Sequence, residues 1–542
     1  MMACCLNPES AVILTHSPYP LSLYALNTLP DLLTTQADAV ALIDRDHAIT
    51  RRELDLESRR VARGLIELGV RQGDRVALWL PNVPAWLACL FACARIGAVV
   101  VAVNTRFRMT ELQDILRRSG ARVLVFWPGF RGIDFEKILN EVDPAALDTL
   151  TTIIAYTESG QGIPSTIARR PALSYASLAA SEPWDDCHAR PDSGVVLFTT
   201  SGTTRAPKFV LHDQAAIALH AGHVARAFGF DAPDSVILLT IPLCGTFGLT
   251  NALGALAAGR PAVMMPTFEA QAAAGLITRH AVTHFPAAGD IVAQLLGVTP
   301  EPQPYPSVRL VIGARPGQAA AAQARGLCLI GVYGMSEVQA MVSRHSENDP
   351  ADARGRGGGA LIAPHAEARA RNTDTGEILP HEQSGELEFR MPSQMVGYFG
   401  NDEATQAAVT EDGFVRSGDL GYSVPGGFVF QSRIGDALRL SGFMVNPLEI
   451  EAIIDTYPSI AASQVVGVDG PRGLHAVAFV IAHDSAVIDE AAVIAHCAGR
   501  IAAYKVPKRV FVLDAFPVTH SANGTKIQKT RLRDMANELV KR

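Results

Sequence analysis

Aromatic side chains make up only 6% of the 542 residues, which leaves little material for base-stacking platforms. Basic residues are not in excess either: 47 Lys and Arg face 54 Asp and Glu, a formal charge of -7. A nucleic-acid binder needs basic surface to displace counterions, and a surface anchor on anionic lipid needs a basic face. Both classes are excluded. The eight cysteines contain no CxxC pair, so they read as reduced thiols of a cytoplasmic chain rather than a disulfide framework. Cys89 and Cys93, four apart in an apolar stretch, read as stacked core thiols. Long hydrophobic runs are missing as well. Ala85–Val103 is interrupted by Arg95 and Gly97, and Ser235–Gly259 by Pro242, Gly245, Gly248 and Gly254, so neither reads as a membrane span. The N-terminus lacks a basic segment followed by an apolar one, so no signal peptide is expected. There is no GxxxxGK[ST] phosphate loop, no GxSxG elbow, no HExxH pair and no zinc-deaminase signature.

What is present is ordinary globular material, 48% apolar and 19% charged, in a chain long enough for three or four folding units. Helical and strand patterns alternate through the first four-fifths. Glu53–Leu68 reads as helix, Arg75–Leu80 as strand, Trp86–Arg95 as helix, Val99–Val103 as strand, Thr110–Arg117 as helix and Val123–Phe126 as strand. Continuous apolar strands between helices imply parallel sheets covered on both faces, with ligands beyond the carboxyl ends of the strands. After about Gly385 the character changes. Glu386–Arg390, Gly413–Val415 and Gly427–Gln431 read as short antiparallel strands. The last hundred or so residues read as an α+β unit beyond a polar stretch, Gln431–Asp436, that suits a hinge. Arg354–Gly359 (RGRGGG) reads as a flexible turn, since a phosphate cradle would need a strand before it and a helix after it.

Five short segments carry chemistry. After the apolar strand Val195–Phe198 come Thr199, Thr200, Ser201, Gly202, Thr203, Thr204, Arg205, Ala206, Pro207 and Lys208. A strand running into hydroxyls, a glycine and a lysine presents donors to one concave point, which suits a polyphosphate; a polar surface turn has the same composition. Tyr333, Gly334, Met335, Ser336 and Glu337 follow the apolar run Leu327–Val332 and offer a stacking face, a close backbone approach and an acid. Arg416–Gly421 includes Asp419, a turn carboxylate suited to the two hydroxyls of a ribose or to an Asx turn. Ser432–Asp436 leads into Arg439–Pro447 and an acidic helix start, and Ser521–Ile527 is a glycine turn presenting Lys526. His212, His220 and His223 lie near one another in a stretch read as helical, a spacing that mostly occurs without a metal.

In this order and at these separations the five segments resemble the adenylate-forming superfamily, over nearly the whole chain. That group includes acyl-CoA synthetases, firefly luciferase and peptide-synthetase adenylation domains. Gly385, Glu386, Leu387 and the later Gly397, Tyr398 and Thr405 fit it too. The resemblance implies an α/β fold. A large N-terminal region, 1–432, would hold two mixed, mostly parallel sheets sandwiched by helices, with a small β-barrel at about 386–432. A hinge would lie at 433–436, with Gly435 at its pivot, and a small mobile α+β domain at 437–542. It implies a ligase that joins a carboxylic acid to AMP, releases pyrophosphate and passes the acyl group on. The cofactors implied are ATP, Mg²⁺ and coenzyme A. By the same resemblance Thr199–Lys208 would hold the ATP phosphates, with Thr199, Thr200, Ser201, Gly202, Thr203, Thr204 and Lys208 as donors. Tyr333 would flank the adenine, with Gly334, Met335 and Ser336 beside it. Gly313 and Ala314 would line the nucleotide and acyl sites. Glu337 would coordinate magnesium, and Asp419 would bind the ribose, assisted by Arg433. Lys526 would bind both the carboxylate and the α-phosphate.

The sequence departs from the family pattern in five places. Arg205 and Phe209 replace two glycines of the phosphate loop, Gly245 replaces a histidine that gates the acyl pocket and acceptor tunnel, Gly435 replaces the usual Asp or Lys of the hinge, and Arg439 replaces a lysine. The acyl pocket is expected from Pro242–Leu256, Phe285–Asp290 and Gly313–Gln339, with Phe247, Phe285, Gly313, Met335 and Val338 facing it. No charged pair for an α-amino acid stands out there, so an apolar or aromatic acid is expected. Ser441–Pro447 (SGFMVNP) resembles the coenzyme-A-using branches. Gly245 and Gly435 keep an amino acid open as the acceptor in place of coenzyme A, and a carrier protein is a third. The chain ends shortly after the lysine motif, so a stand-alone enzyme is expected. Its oligomeric state is left open, a homodimer included.

Overall fold

Pro84–Ile96 is helical from a proline in its first turn to a left-handed Gly97 (φ 80°), and every one of its residues is buried. A proline at the start and a glycine just past the end define the helix, since only glycine takes that terminal conformation at no cost. The buried strand Val99–Ala102 follows at once. The apolar run around Arg95 and Gly97 is thus helix, glycine turn and strand, as its sequence suggests. Arg51–Glu67 begins with a capping box, Thr50 and Glu53 each closing on the other's backbone N–H. It packs along Pro84–Ile96. The computed structural model describes residues 26–157, 163–200, 207–313, 318–440, 443–470, 473–483, 486–498, 500–521 and 524–540.

The chain divides into two compact units: residues 1–367 with 390–415, and 368–389 with 416–542. The first unit holds two large sheets. One has nine strands in the order Gly397–Tyr398, Phe209–Asp213, Gly194–Thr199, Val99–Ala102, Arg75–Trp79, Val123–Phe126, Thr152–Ala155, Arg170–Ser174, Thr166–Ile167. Its middle pairs are parallel. The other has seven, in the order Leu329–Ile330, Leu310–Ile312, His284–Pro286, Ile237–Leu239, Ala262–Met264, Val40–Asp44, His47–Thr50, parallel except for the last pair. Helix Gln214–Ala227 packs on the first sheet and Thr246–Ala257 on the second, and the two helices pack on each other. Buried apolar strands covered by helices account for the parallel pairing. The antiparallel strands Val332–Met335, Gln339–Arg344 and Gly358–Leu361 complete the elements that position the site.

The second unit holds a run of strands in the order Gly427–Arg433, Val415–Val424, Gly385–Arg390, Glu367–Arg371, Ile378–Leu379. Buried inside this run, Glu388 accepts from the guanidinium groups of Arg369 (2.7 Å) and Arg371 (2.6 Å). Past residue 436 come the three-stranded sheet Ile460–Gly470, Gly473–Ala482, Arg509–Val512 and the helices Pro447–Ile454, Glu490–Ala498 and Lys529–Val540. Two apolar clusters form on this sheet, around Val465, Ala478 and Val480 and around Val466, Phe479 and Leu532.

The α/β class expected from the sequence holds. Two local expectations do not. The strand expected at Gly413–Val415 instead starts at Val415 and runs to Val424, because Gly413 (φ 84°) closes a turn onto the Thr410 carbonyl. His212 lies in the strand Phe209–Asp213, ahead of the helix that carries His220 and His223. Asp213 caps that helix, its Oδ1 accepting from the Ala216 N–H at 2.8 Å, and so sets the boundary. Arg354–Gly359 does turn, at Gly355–Gly357: helix Ala351–Arg354 enters it and strand Gly358–Leu361 leaves it, the reverse of the order a phosphate cradle requires. No helix among the described residues is long and apolar enough to cross a membrane.

Candidate active site

The expected phosphate loop opens from the carboxyl end of Gly194–Thr199 and returns as Phe209–Asp213, with Thr199 opposite Phe209. Its neck is closed twice. The Thr200 N–H donates to the Lys208 carbonyl at 3.0 Å, and the Lys208 N–H donates to Thr200 Oγ1 at 3.1 Å. Ser201, Gly202, Thr203, Thr204, Arg205 and Ala206 lie outside the described residues. Phe209, at a position where the family has glycine, is an ordinary strand residue. It is buried in the core, with the Arg118 guanidinium 4.4 Å from its ring centre.

Lys208 is exposed, and its Nζ lies 4.3 Å from the ring centre of Tyr398. The Tyr398 hydroxyl donates to Glu337 Oε1 at 2.7 Å. The two-residue strand Gly397–Tyr398 pairs with Phe209–Asp213, so Tyr398 stands opposite Val210. Three distant segments are joined in this way: a phosphate-binding candidate, a buried phenol and a half-buried carboxylate. Burial, and then the Glu337 carboxylate, hold the Tyr398 hydroxyl far above the usual phenol range. It therefore stays a donor and fixes the carboxylate's direction. The Met395 N–H also donates to the Glu337 carbonyl, at 2.7 Å. Tyr398 was legible in the sequence only as a matching position; its bond to Glu337 was not.

Tyr333, Gly334 and Met335 form a strand that turns through Ser336–Val338 into Gln339–Arg344. A Cβ on Gly334 would lie 2.4 Å from Ala340 Cα, so the two strands approach too closely for any other residue. This turn is bolted to its surroundings. His212 Nε2–H donates to the Ser336 carbonyl (2.7 Å), His220 Nε2–H to the Ala340 carbonyl (2.6 Å), and Gln339 Nε2 to the Ala216 carbonyl (3.0 Å). The histidines are thus structural donors. Burial pushes His212 down to about 4, His220 to about 3 and His223 to about 4, so all three rings are neutral near pH 7. No cluster of metal-ligating side chains occurs among the described residues.

Gly313 (φ 105°) ends the strand Leu310–Ile312 in a conformation open to glycine. A Cβ there would lie 2.3 Å from the Ala287 carbonyl oxygen and 3.3 Å from Phe247 Cζ, so Gly313 and Phe247 face each other. Ala314 lies outside the described residues. Of the other pocket candidates, Phe285 and Val338 are fully buried and Met335 is half-buried.

The second unit carries the remaining candidates. Asp419 is buried opposite Arg433 on neighbouring strands, and Arg433 Nε donates to its Oδ1 at 2.9 Å. The Asp419 N–H donates to Ser417 Oγ at 3.0 Å. Lys526 lies on the hairpin Val518–Ser521/Gly524–Ile527, opposite Thr519. The hinge candidate Gly435 has open space where a Cβ would stand, and its carbonyl accepts from the Arg533 guanidinium at 3.1 Å.

The model of the AMP-binding enzyme family matches residues 31–399, and that of the AMP-binding enzyme C-terminal domain matches 449–523. The chain belongs to the AMP-binding enzyme family. It is an AMP-forming ligase, and enzymes of this kind use ATP with Mg²⁺. A relative in Mycobacterium tuberculosis (strain ATCC 25618 / H37Rv) is 32% identical over 528 residues, covering 94% of this chain and 99% of its own length. It is named 3-[(3aS,4S,7aS)-7a-methyl-1,5-dioxo-octahydro-1H-inden-4-yl]propanoyl:CoA ligase. Among solved structures, ATP-bound MatB from Rhodopseudomonas palustris superposes with a TM-score of 0.82 at 26% identity, covering 95% of this chain and 99% of that one. The amide bond synthetase McbA from Marinactinospora thermotolerans superposes with a TM-score of 0.81 at 25% identity, covering 94% and 99%. For an AMP-binding enzyme the fit of Mg²⁺ is chemical: a half-buried carboxylate oriented by a phenol offers the hard oxygen donor that this ion takes.

Proposed function

We propose that this AMP-binding enzyme activates an apolar or aromatic carboxylic acid as its acyl-adenylate, releases pyrophosphate, and transfers the acyl group to coenzyme A. The observation that supports it best is the Lys208–Tyr398–Glu337 constellation beside the loop neck. Attack of a carboxylate on the α-phosphorus brings two anions together, so the site must supply positive charge and fixed geometry rather than a nucleophile. Thr199, Thr200 and Lys208 would hold the phosphates, with Ser201–Thr204 completing the loop. Tyr333, with Gly334, Met335 and Ser336, would border the adenine. Asp419, steadied by Arg433, would take the ribose hydroxyls. Glu337 would hold Mg²⁺, which when bound withdraws charge from the phosphate oxygens. Lys526 would bridge the acid and the α-phosphate, carried by a lid at 437–542 that turns about Gly435. Gly313 and Phe247 would flank the head of the acyl group, with Ala314, Phe285, Met335 and Val338 shaping the rest. The buried unpaired thiols Cys89, Cys93, Cys244 and Cys497 fit a reducing compartment, so the cytoplasm is the place for this reaction.

An amino acid as acceptor is the second reading, and Gly245 keeps it open. It starts helix Thr246–Ala257 with φ -113° and ψ 154°, a conformation open to any residue. Nothing in the backbone therefore requires glycine where relatives carry a histidine side chain. A mass spectrum of one reaction with ATP, Mg²⁺, fatty and aromatic acids, coenzyme A and amino acids separates the readings. An acyl-CoA mass is the expected result. An N-acyl amino acid mass moves the enzyme to the amide branch, and AMP with neither product points to a carrier protein.

The Tyr398→Phe variant keeps the ring beside Lys208 and removes only the donor to Glu337. We expect a Mg²⁺ response weaker by about 10- to 100-fold, since a hydrogen bond to a charged group contributes about 1.5–3 kcal/mol. A magnesium titration of pyrophosphate exchange reads this directly, and an unchanged half-saturation would remove the phenol from the metal site.

A further inference from the structure

The exit of the phosphate loop is held from outside as well as at its neck. Helix Met109–Ser119 ends at a left-handed Gly120 (φ 60°), and Arg118 stands in its last turn. Arg118 Nε donates to Asp114 Oδ1 at 2.9 Å and Nη2 to Asp114 Oδ2 at 2.6 Å, one helical turn back. This paired contact fixes the plane of the guanidinium. The same Nη2 donates to the Pro207 carbonyl at 2.6 Å, and the guanidinium carbon lies 4.4 Å from the ring centre of Phe209. One side chain thus meets the residues on both sides of Lys208. Along this stretch Phe209 points into the core, whereas Lys208 is exposed beside the Tyr398 ring.

The segment that carries Tyr398 is held in a matching way. The Arg75 guanidinium lies 5.7 Å from the ring centre of Phe399, and the Phe399 N–H donates to the Phe209 carbonyl at 2.8 Å. Arg75 also closes the end of the Arg118 helix, donating from Nε to the Ser119 carbonyl (2.7 Å) and from Nη2 to the Gly120 carbonyl (3.1 Å). Helix end, loop exit and strand Gly397–Tyr398 are tied together by these two arginines. An exposed arginine paired only along its own helix contributes little. Arg118 differs because it also takes a carbonyl 89 positions away, at the loop. A glycine at position 209 could not make the stack with Arg118. The chain gives up the backbone freedom of glycine there and gains an exit with one direction.

We propose that Arg118 is a positioning residue for the polyphosphate: by holding Pro207 and Phe209 it sets where Lys208 stands, without touching the nucleotide. The proposal rests on the adenylation reading above, in which Lys208 holds ATP phosphates. A lysine already aimed loses less freedom when the phosphates arrive, and that difference appears as affinity.

Calorimetric titration of the full-length enzyme with ATP and Mg²⁺, and separately with AMP, tests it. AMP carries only the phosphate assigned to Lys526, so it does not report on the loop. Arg118→Ala should weaken ATP about tenfold, the low end for a hydrogen bond from a charged group, and leave AMP within about twofold. In pyrophosphate exchange the KM for ATP should rise by the same factor while the KM for the acid stays. Arg118 is 34% exposed, so alanine there leaves the core intact, and a thermal melt of the same sample checks it. Arg118→Lys keeps the positive charge but cannot bond Asp114 in one plane and Pro207 at once, so it should recover little of the loss. Unchanged ATP affinity in Arg118→Ala overturns the proposal, as does an equal loss for ATP and AMP, which would mark a general loosening of the fold. Full recovery in Arg118→Lys also overturns it, since Arg118 would then supply charge rather than geometry. A wild-type enzyme that binds no ATP and exchanges no pyrophosphate with any acid overturns the adenylation reading itself.

Discussion

Glu337→Gln should lose about 10²- to 10³-fold in the rate of pyrophosphate release while melting within a few degrees of the wild type. The substitution keeps the shape of the side chain and one oxygen for the Tyr398 hydroxyl, so the turn between Val332–Met335 and Gln339–Arg344 retains its anchors at His212, His220 and Gln339. What it removes is charge. A neutral amide is a poor ligand for a hard divalent cation, and a preorganised electrostatic group at a transition state is worth about 3–4 kcal/mol. The loss should shrink as Mg²⁺ is raised, because weakened metal binding is partly restored by mass action. Initial rates across a magnesium series, with a thermal melt of the same sample, check both halves. Turnover at the wild-type rate and magnesium dependence would remove Glu337 from the metal site.

Lys526→Ala should reduce acid-dependent pyrophosphate exchange by a similar factor, about 10²- to 10³-fold. A lysine that meets both the carboxylate and the α-phosphate acts where their charges converge, so its contribution is greatest in the transition state. Binding of ATP without the acid, measured by calorimetry, should change much less. Lys526→Arg should rescue poorly, since a planar guanidinium does not replace a compact ammonium shared by two anions. Exchange at the wild-type rate in the alanine variant would end this mechanism.

The local pieces of the molecule were readable because each has a local cause. The helix at 84–96 announces itself by Pro84 and Gly97, the strands at 75–79, 99–102 and 123–126 by their unbroken apolar character, and the loop neck by its hydroxyls and Lys208. The join between them was not readable. Tyr398 reaches Glu337 only because a two-residue strand pairs with Phe209–Asp213, and two residues carry no period. His212 fell on the wrong side of a helix start because Asp213, the residue that caps the helix, has a carboxylate whose role appears only with its bond to Ala216. Gly413 looked like the start of a strand and is the turn before one, since its positive φ is a property of the folded chain.

The neutral imidazoles that bolt the site turn in place also govern how this enzyme meets acid. In the unfolded chain each histidine takes a proton near 6.5, whereas in the fold His212 resists until about 4 and His220 until about 3, and His284, buried in the seven-stranded sheet away from the turn, resists until about 4 as well. A lowered native value means that stability is complete above about pH 6.5 and drains away as the pH falls toward 4, by up to about 1.4 kcal/mol per pH unit for each such ring. Asp213, pushed up to about 6 by burial, works in the opposite sense between its own two values, one group against several. Urea midpoints taken between pH 7 and 5 should therefore drop steeply, and His212→Asn should flatten the slope. The turn that carries Glu337 is thus held by uncharged rings, and mild acidification is enough to loosen its hold.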